Sequence, residues 1–160
     1  MFSARITSPK KYEITDIDIP VIDDGMCLIQ LEQWSVCGSD IRHTYGPVHP
    51  EEEYPMRHGG ACHECAGTIV ESKSEKFKVG QRVIVIPRDV AGMQEYLVQT
   101  RDKLIKIPEW GNLSEWVMCQ HSGTVLFSAK QWGNIAGKTI AILGQGGIGL
   151  SFTMLAAKQG

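Results

Sequence analysis

The sequence of 160 residues contains no long apolar run and no long run of like charges. Residues 1–11 include Arg5, Lys10 and Lys11, where a secretion signal would need an uninterrupted apolar core, and no apolar stretch approaches membrane-spanning length. The formal net charge of -2 gives no reason to expect a nucleic-acid or membrane partner. We therefore expect a cytoplasmic protein.

Cysteine is too scarce, and odd in number, for a disulfide framework. The five cysteines are Cys27, Cys37, Cys62, Cys65 and Cys119. Several of them lie close to histidine or acidic residues, which favours free thiols and metal binding over disulfides. Cys62 and Cys65 could also form a redox Cys-x-x-Cys pair, or help to bind zinc themselves.

Short β-favouring runs, separated by glycine and proline, dominate the first hundred residues. These runs cover residues 4–19, 26–36, 65–71, 81–86 and 95–99. Their short length and regular spacing predict a small β-barrel.

The pattern becomes helical after Pro108. Asn112 or Ser114 could cap a helix whose first turn contains Glu115, and residues 124–132 predict a second helix.

A glycine-rich turn follows near the end of the sequence. Residues 138–143 form an apolar run typical of a strand buried on both faces of a parallel sheet, and residues 148–158 predict a helix. Between them, Gly-Gln-Gly-Gly-Ile-Gly at 144–149 would let the backbone approach a pyrophosphate at the helix N-terminus. Glycines in a tight turn can also serve sterics alone. One strand and one helix are only the start of a dinucleotide-binding domain, so we expect an amino-terminal fragment that is inactive by itself.

Two motifs supply the donors that a zinc ion with one open coordination position needs. They are Cys-Gly-Ser-Asp at residues 37–40 and Cys-His-Glu-Cys at residues 62–65. Cys37 could instead be an ordinary buried thiol, and His63 a structural histidine bonded to Asp40. Because a dinucleotide motif occurs in the same chain, the combination favours metal-assisted hydride transfer.

The order of the motifs resembles the amino-terminal half of the zinc-containing medium-chain alcohol dehydrogenases. The matching pieces are Cys-Gly-Ser-Asp (37–40), His-Glu-x-x-Gly (63–67), Val-Gly-x-x-Val (79–83), Glu-Tyr (95–96) and Gly-x-Gly-Gly-x-Gly (144–149). The resemblance implies a mixed α/β fold: a GroES-like β-barrel catalytic domain over residues 1–133, then the first βα unit of a Rossmann domain over residues 134–160. It also implies zinc, NAD or NADP, and a homo-oligomeric full-length protein.

The resemblance identifies Cys37 and His63 as zinc ligands. The third ligand is Cys119, at the position of a cysteine in alcohol-oxidising members, or Gln120, at the position of a glutamate in polyol-oxidising members. We favour Cys119, because thiolate binds zinc far better than a neutral amide does. Residues 87–92 leave no room for the four-cysteine lobe that many relatives use to bind a structural zinc, so we expect one catalytic zinc and no structural zinc.

The same resemblance assigns a catalytic group of Ser39, Asp40 and Glu64. Ser39 matches the hydroxyl that takes the substrate proton, and Asp40 matches the carboxylate that orients the imidazole of His63. Glu64 matches an acid close to the metal. His43 lies one position past the usual place of a proton-relay histidine.

The implied cofactor-binding residues are Thr124, Gly144, Gly146, Gly147, Ile148 and Gly149. The sequence thus predicts a zinc-dependent oxidoreductase that transfers a hydride between an alcohol or polyol and NAD(P). Two alternatives stay open: a zinc-independent reductase like the quinone oxidoreductases, and a non-catalytic, zinc-binding GroES-like module. The joint presence of Cys37, His63 and Cys119 disfavours the first, and the glycine motif disfavours the second.

Overall fold

The computed structural model describes residues 1–42 and 49–159. The chain divides into two units, Met1–Val117 and Met118–Gly160. The strands are β1 (Phe2–Ser8), β2 (Lys11–Asp16), β3 (Met26–Ser35), β4 (Glu64–Ser72), β5 (Arg82–Val85), β6 (Tyr96–Thr100) and β7 (Leu104–Lys106). The α-helices are α1 (Gly38–Asp40), α2 (Leu113–Trp116), α3 (Cys119–Ala129) and α4 (Gly147–Lys158).

A five-stranded antiparallel sheet in the order β6-β3-β4-β5-β7 forms the centre of the first unit. Strands β1 and β2 pair as a separate hairpin. Two backbone hydrogen bonds join this hairpin to the segment before β6: Ala4 N–H donates to Met93 O at 2.9 Å, and Glu95 N–H donates to Phe2 O at 3.0 Å.

The core lies on one face of the sheet, where alternate residues of each strand meet. On β3 these are Cys27, Ile29 and Leu31, all of which are buried. The other buried members of this core are Cys62, Cys65, Ile69, Phe77, Val83, Val85, Leu97 and Leu104. The core therefore extends to both cysteines of the Cys-His-Glu-Cys motif.

Strands β3 and β4 approach each other unusually closely at Gly67. A Cβ atom on this residue would lie 2.0 Å from Gln30 O, so only glycine permits the pairing. At the end of this ladder, Ser35 lies opposite Glu64 and Trp34 lies opposite Cys65. The register therefore brings the two predicted metal-binding motifs side by side.

The predicted strands agree with β3, β4, β5 and β6 to within one or two residues. The prediction of one run over residues 4–19 is wrong, because this segment contributes to a hairpin. The chain reverses between Ser8 and Lys11, and Lys10 has φ 64 there. A positive φ in a non-glycine residue leaves little trace in the sequence, which is why the turn was not predicted.

The predicted helices are present with shifted bounds. Asn112 is the N-cap of α2, and its backbone N–H donates to the Glu115 carboxylate at 3.4 Å in a capping box. Helix α3 begins at Cys119 rather than at residue 124, and it ends at Ala129. The last helix, α4, begins one residue before the predicted start.

The strand predicted at residues 138–143 is not formed among the described residues. Leu143 is 94% exposed and Ile140 is 41% exposed, so this run is not covered on both faces. A parallel strand exists only when neighbouring strands satisfy its backbone groups, and no strand lies next to this run in the described chain.

No helix in residues 1–42 and 49–159 combines the length and the apolar character that a bilayer-crossing segment needs.

Candidate metal centre

Three potential metal ligands converge where β3 ends and β4 begins. Cys37 follows β3 and is the N-cap residue of α1, while His63 immediately precedes β4 and Glu64 is the first residue of that strand. A thiol sulfur, an imidazole nitrogen and a carboxylate oxygen from these residues all lie within 4.8 Å of one another.

The buried carboxylate of Asp40 connects the two motifs. Its Oδ1 atom lies 2.7 Å from Nδ1 of His63, and its Oδ2 atom accepts a hydrogen bond of 3.0 Å from the backbone N–H of Cys37. With Nδ1 of His63 donating to Asp40, the lone pair of Nε2 is left for a metal ion. This geometry would allow Asp40 to orient His63, which is the role predicted for it.

The donor set fits zinc. Thiolate, imidazole and carboxylate are all zinc ligands, and a carboxylate bonded to the second nitrogen of a ligating histidine is the usual support for such a site. Glu64 is only 3% exposed, and its Oε1 atom lies 3.9 Å from Nε2 of His63. A buried carboxylate needs a positive partner, which a bound cation would provide.

The Cys62 and Cys65 sulfurs lie 3.8 Å apart, and both residues are fully buried. The hydrogen bond from Cys65 lowers the pKa of Cys62. The same bond, together with burial, raises the pKa of Cys65. The cysteines on either side of His63 and Glu64 thus form a contacting pair, as one of the sequence alternatives required.

The segment of residues 90–92 holds Cys62 in place. The N–H of Cys62 donates to Val90 O at 2.9 Å, and the N–H of Gly92 donates to Cys62 O at 3.0 Å. Trp34 Nε1 in turn donates to Gly92 O at 2.6 Å. Trp34 and Gly92 carry no sequence signal for this role, because only tertiary structure brings them to the residue before His63.

A Cβ atom on Gly92 would lie 2.4 Å from Sγ of Cys65 and 2.7 Å from Cys62 O. Glycine is therefore required at this position for the segment of residues 90–92 to pack against the two cysteines. Glycine is required because there is no room for a side chain, and not because of the backbone φ angle.

The remaining predicted site residues are not among the three clustered ligands. Ser39 is exposed on α1. Cys119 is the first residue of α3, in the second unit, and is exposed; Thr124 is an exposed residue of the same helix. His43 falls outside the described residues. The roles assigned to these four residues stay predictions.

The glycines of the predicted dinucleotide turn differ in their structural requirements. Gly144 has φ 96, a conformation that favours glycine. A Cβ atom on Gly149 would lie 1.9 Å from Gly144 O, so this glycine is needed for the turn itself. Gly146, the N-cap of α4, has φ -76 and no atom within 4 Å of a Cβ position. Nothing in the described chain therefore requires glycine at 146, whereas a closely approaching ligand would.

His121 lies against the same turn and was not predicted to contribute to it. This buried residue of α3 has its Nε2 atom 3.2 Å from the Ser151 hydroxyl and 3.8 Å from a Cβ position on Gly147. A single histidine within a helix gives no sequence signal for such a contact.

Residues 23–129 match the family described as the alcohol dehydrogenase GroES-like domain. The chain belongs to this family, and both the predicted zinc-containing medium-chain alcohol dehydrogenase family and the predicted fold class are confirmed.

Similar proteins include named dehydrogenases. The chain is 29% identical to an uncharacterised zinc-type alcohol dehydrogenase-like protein, YdjJ, of Escherichia coli, over 97% of this chain and 53% of that protein. It is 27% identical to (R,R)-butanediol dehydrogenase of Bacillus subtilis, over 94% of this chain and 53% of the relative. The chain spans about half the length of the curated relatives it matches.

Solved structures give the same result for the fold. The structure of butanediol dehydrogenase from Bacillus subtilis superposes with a TM-score of 0.81 at 25% identity, covering 99% of this chain and 55% of that one. Galactitol-1-phosphate dehydrogenase from Escherichia coli gives a TM-score of 0.84 at 18% identity, covering 100% of this chain and 53% of that one, which establishes similarity of fold alone.

Proposed function

We propose that the full-length protein is a zinc-dependent dehydrogenase that transfers a hydride between an alcohol or polyol and NAD(P). The observation that carries this proposal is the convergence of Cys37, His63 and Glu64 within 4.8 Å, with Asp40 bonded to the second nitrogen of His63. The names of the butanediol and sorbitol dehydrogenases among the relatives support a substrate with neighbouring hydroxyl groups.

In this proposal Cys37 and His63 hold the metal, and Cys119 completes the ligand set. Zinc bound there would act as a Lewis acid toward the substrate oxygen. Asp40 fixes the tautomer of His63, so that Nε2 rather than Nδ1 points its lone pair at the metal. Ser39, exposed on α1, takes the proton from the substrate hydroxyl.

The turn at residues 144–149 contributes to the proposed dinucleotide site. The backbone N–H groups at the start of α4 would hold the pyrophosphate, since the first N–H groups of a helix have no partner within the helix. The open space at Gly146 supports this role. NAD(P) bound there would accept the hydride from the alcohol carbon.

The test uses purified full-length protein. Zinc content is measured by elemental analysis, and the oxidation of butanediol, sorbitol and simple alcohols is followed with NAD and with NADP. We expect one zinc per chain and activity that is lost together with the metal in His63→Ala. The matched control is His58→Ala, because His58 is also partly buried and its ring nitrogen Nδ1 lies 3.3 Å from a hydroxyl, Thr15 Oγ1, rather than next to a carboxylate.

Three outcomes would count against the proposal. Undiminished turnover by metal-free His63→Ala would favour the zinc-independent alternative. Zinc binding without turnover of any alcohol and without NAD(P) binding would favour the non-catalytic module. Two zinc ions per chain, both retained in Cys37→Ser, would contradict a single site built on Cys37.

A further inference from the structure

Cys62 and Cys65 are positioned for covalent bonding to each other. Their sulfurs lie 3.8 Å apart, whereas a disulfide needs about 2.05 Å, so closure requires an approach of about 1.8 Å. Both side chains are fully buried and face the same core cluster.

The two cysteines are anchored differently. Cys65 lies within the sheet, paired with Trp34 on β3 and with Val85 on β5. Cys62 precedes β4 and is held by an isolated bridge to Ala91. Closure of a disulfide would therefore displace Cys62 more than Cys65, because the sheet restrains Cys65 on both sides.

The residues that such a disulfide would enclose are His63 and Glu64. A bond between Cys62 and Cys65 would close a small covalent ring that includes the backbone of both residues, and it would restrict their backbone angles. A hydrogen bond of 2.7 Å between Nδ1 and Asp40 holds the His63 ring in its orientation. A shift of the His63 backbone would disturb this bond and change the direction in which the Nε2 lone pair points.

We propose that Cys62 and Cys65 form a redox-active dithiol, whose oxidation by a peroxide to a disulfide weakens metal binding at His63. One thiolate attacks the peroxide oxygen, giving a sulfenic acid and releasing hydroxide or an alcohol. The second thiol then displaces water from the sulfenic sulfur. Two thiols lose two electrons in total, and the peroxide is reduced. The metal-binding part of this inference rests on the proposed function, whereas disulfide formation does not.

Peroxide reaches the buried sulfurs when the segment of residues 90–92 opens. The backbone is strained where this segment begins: Asp89 has φ 56 and Val90 has φ 59, and the second value is unfavourable for a β-branched residue. Opening this segment would relieve the strain and uncover Cys65, against which Gly92 is packed. We therefore expect oxidation of the pair to be slower than oxidation of the exposed Cys119.

Hydrogen peroxide is the probe, applied to zinc-loaded full-length protein and to the same protein after metal removal. Zinc release is followed with a colorimetric chelator. After alkylation and trypsin digestion, the peptide of residues 58–73 contains Cys62 and Cys65 and no other cysteine. We expect this peptide to become lighter by two hydrogen atoms and resistant to alkylation, and a dithiol reductant to reverse the change.

Cys65→Ala cannot form the disulfide, and under peroxide it is expected to release zinc about tenfold more slowly than the wild type. The oxidised wild type should bind zinc about 10- to 100-fold more weakly than the reduced wild type. Cys27→Ala is the matched control, because Cys27 is equally buried but lies on β3 and contacts Ser72. Under peroxide, Cys27→Ala should release zinc at the same rate as the wild type. If Cys65→Ala does not fold, Cys62→Ser provides the same test.

The proposal is overturned if zinc is released while both thiols of the 58–73 peptide remain free for alkylation. It is also overturned if the disulfide forms and zinc affinity is unchanged. A disulfide that forms in a full-length protein with no affinity for zinc would refute the proposed function while supporting the dithiol.

Discussion

The Nδ1 atom of His63 lies 2.7 Å from Oδ1 of Asp40, whose other oxygen accepts the backbone N–H of Cys37. One buried carboxylate thus fixes an imidazole from one motif and the backbone of the other. Removing its charge should loosen both connections at once.

We predict that Asp40→Asn weakens zinc binding about 10- to 100-fold, the usual result of losing a group that orients a metal-bound histidine. Competition with a chelator of known affinity measures the effect. Asp102→Asn is the control, because the Asp102 carboxylate is exposed and accepts a local hydrogen bond of 2.6 Å from Thr100 Oγ1. Equal zinc affinity in Asp40→Asn and the control would show that Asp40 does not orient His63.

Two variants, Cys119→Ser and Gln120→Ala, can identify the third zinc ligand. We predict that Cys119→Ser loses zinc in the full-length protein while Gln120→Ala retains it, because only the first change removes a charged soft donor. Elemental analysis of each variant gives the answer. Zinc kept by Cys119→Ser but lost by Glu64→Gln would instead make Glu64, which already lies in the ligand cluster, the third ligand.

Gly92→Ala should destabilise the protein by about 1–3 kcal/mol, the range for overpacking a filled site. The added Cβ atom would lie 2.4 Å from Sγ of Cys65, so the segment has to move. Urea denaturation measures the loss. The control is Gly123→Ala, which has nothing within 4 Å of its Cβ position and lies inside α3. Its stability should rise, since alanine is favoured over glycine by about 0.8–1.0 kcal/mol in a helix interior. Equal stability of the two variants would contradict the packing argument.

Substitutions at two glycines of the turn at residues 144–149 should have different effects. Gly149→Ala should disturb the turn whether or not a ligand is present, because its Cβ would collide with Gly144 O at 1.9 Å. Gly146→Ala should leave the fold intact and weaken NAD(P) binding by about tenfold, or about 1.4 kcal/mol, through the loss of close backbone approach. Calorimetric titration and thermal unfolding of both full-length variants distinguish the two effects. Normal NAD(P) affinity in Gly146→Ala would remove this turn from the proposed cofactor site.

Part of the candidate metal centre could be predicted because its signals are local. Cys37 and Asp40 lie within one short motif, and His63 and Glu64 are adjacent, so each pair keeps its geometry over a few residues of chain. The contact between Cys62 and Gly92 could not be predicted in this way. It depends on where a separate loop packs, and its requirement for glycine becomes apparent only from the distance to Cys65.

The errors in the fold prediction have related causes. The apolar run at 138–143 has the composition of a buried strand, but a strand depends on backbone partners as well as on its own residues. The hairpin at the start of the chain was missed because its turn uses a lysine at positive φ. The start of α3 was predicted too late because apolar periodicity marks a helix less precisely at its ends.

The pairing of Ser35 with Glu64 has a consequence for how the chain folds. Cys37 follows the end of β3, and His63 precedes the start of β4, so the ligands meet only after two distant parts of the chain have paired in the correct register. Closing that long loop costs entropy before any contact compensates for it, which makes such pairing a late and slow event in folding. Zinc captured at this centre should therefore report completed sheet formation during refolding, and a slip of one residue along β4 would place the imidazole on the opposite face.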